Sequence, residues 1–189
     1  MSDVKAPTWQ VTASGGFESA WVTFKGGTLH ARGRAFGALP EPCWISYELE
    51  TGEEWTTRRL TVTSETATDT HSLELRRAAD TGVWTANGTT LTWAAESLDC
   101  DLGLSPLTNT MPVLRRNLHR EPGEHTFLMA WVSVPGLQVR PSRQTYAHLA
   151  PGTVRFTSGD FTANLEFDRD GLIVAYPDLA YRLAGRASA

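Results

Sequence analysis

The run FTANLEF (161–167) alternates apolar and polar residues without a break, and the DRDG after it (168–171) leads straight into LIVAY (172–176). Side chains two apart on a strand share a face. Phe161, Ala163, Leu165 and Phe167 therefore predict a buried face, with Thr162, Asn164 and Glu166 opposite. The intervening Asp168-Arg169-Asp170-Gly171 predicts a hairpin.

The same period governs the rest of the chain. Cys43, Ile45, Tyr47 and Leu49 alternate with Ser46 and Glu48, and Leu60 and Val62, and Leu73 and Leu75, with polar neighbours. TFLMAWVSV (126–134) is apolar at both parities, which predicts a central strand covered on both sides. Asn87-Gly88, between VWTA and TTLTW, predicts a tight hairpin with both central residues at positive φ. Turn signals recur at roughly 8–12 residue spacing, the pattern of an all-β sandwich or barrel. No helical period exceeds two turns. The expectation is one all-β domain over residues 1–189, ordered from about 8 to 183, with at most one or two short helices.

Composition narrows the functional classes. The chain has 189 residues, 41% of them hydrophobic, and a formal net charge of -4. That suits a sizeable core and argues against general nucleic-acid binding, which needs a basic footprint. No run approaches the ~20 apolar residues of a membrane helix. MSDVKAP at the start shows no secretory signal, so the expected location is cytoplasmic. There Cys43 and Cys100 stay reduced and read as small buried hydrophobes. Most of the seven tryptophans read as core. No G-x-S-x-G, H-E-x-x-H or C-x-x-C is present, no histidine stands at ligand spacing, and no metal or cofactor is implied.

The chemistry concentrates in LDCDLGLSPLTNTMPVLRR (98–116). This is also the place for a short helix or an irregular crossover. Asp99 and Asp101 share a strand face. They could divide acid and base roles, or cap turns and bond backbone N–H groups. Pro106 and Pro112 interrupt pairing, and Thr108 and Asn109 can satisfy the backbone groups so freed. Strand parity puts Arg58 with Leu60 and Val62, Arg77 with Leu73 and Leu75, and Arg116 with Leu114 and Leu118. An inward arginine needs a carboxylate partner, a solvated cavity, or a strand end from which it snorkels.

These blocks resemble the bacterial family named "putative glycolipid-binding". The shared pattern is Asp99, Asp101 and Leu102, then Pro106, Thr108, Asn109, Thr110 and Pro112, then Arg115 and Arg116. EWTTRRLTV supplies Trp55 and Arg58, and VPGLQVRPSRQTY supplies Gln144 and Tyr146. DRDGLIVAYPDLAYR supplies Asp168, Asp170, Gly171, Tyr176, Pro177 and Arg182, and Glu18 fits a looser N-terminal pattern. Leu107, Leu114 and Asp178 depart from the family's usual aromatic, basic and glycine residues. The resemblance implies a spiral β-roll, a strongly curved antiparallel sheet wrapping on itself. Its shape is similar to that of lipoprotein-localisation carriers. It also implies a ligand site drawn from Arg58, Asp99, Asp101, Thr108, Asn109, Arg115, Arg116, Gln144, Tyr146 and Tyr176. Three functions follow as expectations: a noncatalytic carrier of a glycolipid or similar amphiphile in a cavity of the roll, a filled structural or partner-binding roll braced by Asp–Arg pairs, and a hydrolase of a sugar or phosphate ester acting through Asp99 and Asp101.

Overall fold

A computed structural model of the chain describes residues 4–184. Among them, sixteen strands form one strongly curved sheet. The first nine are β1 (Val4–Lys5), β2 (Thr8–Val11), β3 (Gly16–Lys25), β4 (Thr28–Gly37), β5 (Cys43–Thr51), β6 (Thr57–Thr66), β7 (Thr70–Arg77), β8 (Trp84–Ala86) and β9 (Thr89–Thr90). The rest are β10 (Asp99–Leu102), β11 (Glu124–Val132), β12 (Val139–Ala150), β13 (Thr153–Ser158), β14 (Phe161–Phe167), β15 (Ile173–Tyr176) and β16 (Ala180–Arg182). A single α-helix, α1 (Thr110–Arg115), lies between β10 and β11.

Sheet order follows chain order within each half, and β16 pairs with β2 to join the halves. The path starts at β10 and ends at β9, with β1 paired to β3 beside it. The sheet is open. Its β10 end curls over the start of β6, where Thr57 N donates to Leu98 O at 3.0 Å and Cys100 N donates to Thr57 Oγ1 at 3.1 Å.

Every ladder is antiparallel except β10–β11. A parallel neighbour demands a crossover rather than a hairpin, and residues 103–123 supply it, α1 included. Pro112 fits because it sits in the first turn, where its missing N–H costs nothing. Thr110, Met111, Pro112 and Val113 are all buried, so the sheet wraps around its own helix. The expected crossover is a strand, a 3-10 turn (Leu107–Asn109) and a helix in succession.

Period-two readings map onto the inner face. Cys43, Ile45, Tyr47 and Leu49 are buried, with Leu60, Val62, Leu73, Leu75, Ala163, Leu165 and Phe167, but Phe161, at the start of β14, is exposed. Asn87 (φ 47°) and Gly88 (φ 80°) make the tight turn between β8 and β9. Asp168 Oδ1 accepts from Asp170 N at 2.9 Å and Leu172 N at 3.0 Å, which fixes the β14–β15 turn. Asp178, where the family pattern has glycine, takes φ 65°. In β11 only the second half is covered on both faces, at Met129 and Ala130. Most tryptophans lie in or against the core, Trp55 and Trp93 packing onto it. Trp9 and Trp84 are fully buried, their indole N–H groups donating to Ile173 O and Ser97 O, but Trp21 and Trp44 face solvent. Both stand at outward parity on strands paired on each side.

Tyr47 depends on a missing side chain. A Cβ on Gly33, its cross-strand neighbour, would lie 2.1 Å from the Tyr47 ring. Gly33→Ala should destabilise the fold by about 1–3 kcal/mol through overpacking. Urea unfolding measures this, and an unchanged midpoint would mean that Tyr47 relocates freely.

Candidate functional site

The crossover places two carboxylates on one strand and gives them different surroundings. Asp99 has no exposed surface. Arg115, at the end of α1, meets it with both terminal nitrogens: Nη1 donates to Oδ1 at 2.8 Å and Nη2 donates to Oδ2. The Arg115 side chain is 4% exposed, its Nε has no hydrogen-bond partner among the described residues, and its guanidinium lies 5.3 Å from the Phe127 ring. Burial pushes the Asp99 carboxyl up from the usual range, and Arg115 opposes that shift. A bidentate pair at full burial holds α1 to β10, because removing either partner strands the other charge away from water.

Asp101 anchors a second network. Thr108 Oγ1 donates to Oδ1 at 2.7 Å, and Gln144 Nε2 donates to Oδ2 at 2.6 Å. Tyr146 OH lies 2.9 Å from both Gln144 Oε1 and Asn109 Oδ1. Residues from β10, the 3-10 turn and β12 are thereby tied together. Burial raises the Asp101 carboxyl, with Gln144 and Thr108 pulling the other way.

This network floors an open cleft of about 500 Å³. Asp101, Asn109 and Gln144 reach the cleft, Trp131, Phe156, Phe161 and Tyr176 give it aromatic walls, and Arg140 also lines it. Phe156 and Tyr176 meet edge to face at 5.7 Å. Of the residues expected from the sequence, Asp101, Asn109, Gln144 and Tyr176 line the cleft. Thr108 and Tyr146 lie beneath it, and Asp99 and Arg115 form the neighbouring ion pair.

The arginine parity reading needs two corrections. Arg116 is exposed, because residues 110–115 are helical and strand parity does not apply to them. Arg115, not Arg116, is the inward partner, and Leu114 rests against Gly171. Arg58 is half-buried as expected but holds no aspartate: it has no ion pair among the described residues, and its Nη1 is buried without a partner. Arg77 donates from Nε to Ser97 O at 3.2 Å, and burial and the Arg58 charge lower its pKa.

Glu18 is the residue whose importance the sequence reading missed. It is 1% exposed, accepts from Tyr47 OH at 2.6 Å and Ser105 Oγ at 2.9 Å through Oε1, and leaves Oε2 without a partner. The parity test used for the arginines would have found it, since Glu18 shares its face with Ala20 and Val22. Burial pushes its carboxyl up to about 7, against two hydrogen bonds that lower it.

An open, strongly curved β-roll wrapped around a short helix, with a polar-floored aromatic cleft beside the crossover, defines the class of protein. The chain belongs to the family described as "Putative glycolipid-binding", whose model matches residues 6–182. It is also similar to a DUF1089 family protein from Pseudomonas aeruginosa, known from its crystal structure. The two share 26% identity over 88% of this chain and 92% of that one, with a TM-score of 0.74. No curated protein matches the sequence. Among the described residues no helix is long and apolar enough to cross a membrane.

Two outcomes test this geometry. Arg115→Met and Asp99→Leu should each cost about 3–5 kcal/mol in urea unfolding, while the double variant recovers most of the loss, because only a lone buried charge is penalised. Additive losses would refute the pairing. For Glu18, the folded pKa near 7 lies above an unfolded value near 4.5. Its stabilising share is complete below the unfolded value and is lost as pH rises through the folded one, by about 3 kcal/mol in all. Stability measured at pH 4.5, 6 and 8 should show Glu18→Gln gaining steadily on wild type. A constant difference would mean that Glu18 is ionised throughout.

Proposed function

We propose that this protein is a noncatalytic binding protein that takes the sugar head of an amphiphile such as a glycolipid into the Asp101–Gln144–Tyr176 cleft. One observation carries the reading: aromatic walls stand over a floor of carboxylate, amide and hydroxyl groups already fixed by mutual hydrogen bonds. Sugar rings present apolar faces to aromatic rings and hydroxyls to fixed polar groups, and a mostly apolar cleft with a few placed polar groups is the usual form of a small-molecule site. The family name points the same way.

The site differs from the cavity expected inside the roll. Inward side chains from both halves of the sheet pack into one core with α1, and the cleft opens beside that core. Hydrolysis is the weaker reading, because Asp99 is sealed by Arg115 and Asp101 is the one carboxylate lining the cleft. The bracing reading is favoured by the full burial of the Asp99–Arg115 pair. It is compatible with binding, since the brace positions the cleft floor.

Native mass spectrometry of protein from its own host, followed by denaturing extraction, tests the proposal. A co-purifying amphiphile is expected, and titration with octyl β-glucoside should shift tryptophan emission through Trp131. Gln144→Ala and Tyr176→Ala should each weaken that titration by about tenfold, the loss of one good polar or stacking contact. An apo mass together with unchanged emission would overturn the binding reading and leave a braced structural domain.

A further inference from the structure

The outer face of β3–β6 carries a second binding surface that the crossover does not touch. Three rows of paired side chains cross these strands. The first is Phe17, Phe36, Trp44 and Glu65, and the last is Trp21, Arg32, Glu48 and Thr61. Between them run Ser19, Arg34, Ser46 and Thr63. The middle and last rows line an open furrow of about 640 Å³.

Trp44 is 69% exposed and Trp21 60%. The sheet's curvature cannot hide them, because both point away from the core. Arg32 lies 5.4 Å from the Trp21 ring, and Glu48 is engaged by His30 at 2.9 Å. Arg34, in the middle of the furrow, has no ion pair among the described residues. The aromatic rows are four residues apart along β3, or about 13 Å at strand rise.

The chemistry selects the occupant. β3, β4, β5 and β6 each have a hydrogen-bonded neighbour on both sides, so an extended peptide finds no free backbone edge here. An acyl chain would have to desolvate Arg34 and three hydroxyl side chains. Nucleic acid needs a broad basic footprint, and these rows offer two arginines beside Glu48 and Glu65. A ligand with ring faces for two tryptophans, hydroxyls for Ser19, Ser46 and Thr63, and a negative group for Arg34 fits all three rows. We infer that this furrow binds a linear acidic oligosaccharide laid between Trp21 and Trp44, independently of the cleft beside the crossover.

Titration of the full chain with tetragalacturonate, and with neutral cellotetraose as the comparison, tests this by tryptophan fluorescence and calorimetry. Tetragalacturonate should bind more tightly. Trp21→Ala and Trp44→Ala should each weaken it by about tenfold while leaving unfolding midpoints unchanged, since both residues are exposed. Arg34→Gln should abolish the preference for the acidic chain. Absence of binding by either saccharide at millimolar concentration would overturn the inference, as would binding that survives both tryptophan substitutions. A concentration-dependent dimer broken by Trp44→Ala, with no saccharide effect, would instead assign the aromatic row to contact between two copies.

Discussion

Asp99 is a charge with no exposed surface, and Arg115 is what makes that tolerable. A lone carboxylate in the interior would cost several kcal/mol, more than most domains can spare. The two hydrogen bonds from Arg115 tie the end of α1 to the first residue of β10. With that tie in place, β10 can lie parallel to β11, and the sheet has a first strand from which to curl. The Thr57 contacts to Leu98 and Cys100 then bring that end over β6. The pair thus joins the helix to the strand that carries Asp101 two residues further on.

Two residues further along β10, Asp101 shows how neighbouring carboxylates acquire different roles. Asp99 is matched by a cation and sealed. Asp101 is matched by neutral donors, Thr108 and Gln144, and borders solvent. Gln144 is itself held by Tyr146, whose hydroxyl also lies at Asn109 Oδ1, so the polar groups of the cleft floor are tied to one another. A ligand meeting polar groups already fixed in this way would pay less ordering entropy, as the proposed binding role requires.

Polar groups on the inner face fall into satisfied and unsatisfied sets. In the crossover both aspartates have each carboxylate oxygen bonded, whereas among the described residues Arg115 Nε, Thr110 Oγ1, Glu18 Oε2 and Arg58 Nη1 are buried without partners. Glu18 answers its burial by shifting its protonation toward neutral pH. Arg58 lies half-buried at a strand end. The outer face is built differently: exposed Trp21 and Trp44 flank the hydroxyl side chains of Ser19, Ser46 and Thr63, with Arg32 over the Trp21 ring.

Much of this was legible in the sequence. Alternation in FTANLEF and its counterparts determined the strands and their inner faces, because the pleat gives a strand a strict period of two. Asn87-Gly88 and Asp168–Gly171 determined their turns through local backbone preference. The quoted motifs placed Asp101, Asn109, Gln144 and Tyr176 among the candidate residues. Only the tertiary structure decided that these four meet at one cleft and that Arg115 and not Arg116 reaches Asp99. Parity names a face only while the chain stays a strand. Along α1 each residue turns by about 100°, so Arg115 and Arg116 point in directions that no alternation could predict. Which side of a strand becomes the interior is settled by what the sheet curls around.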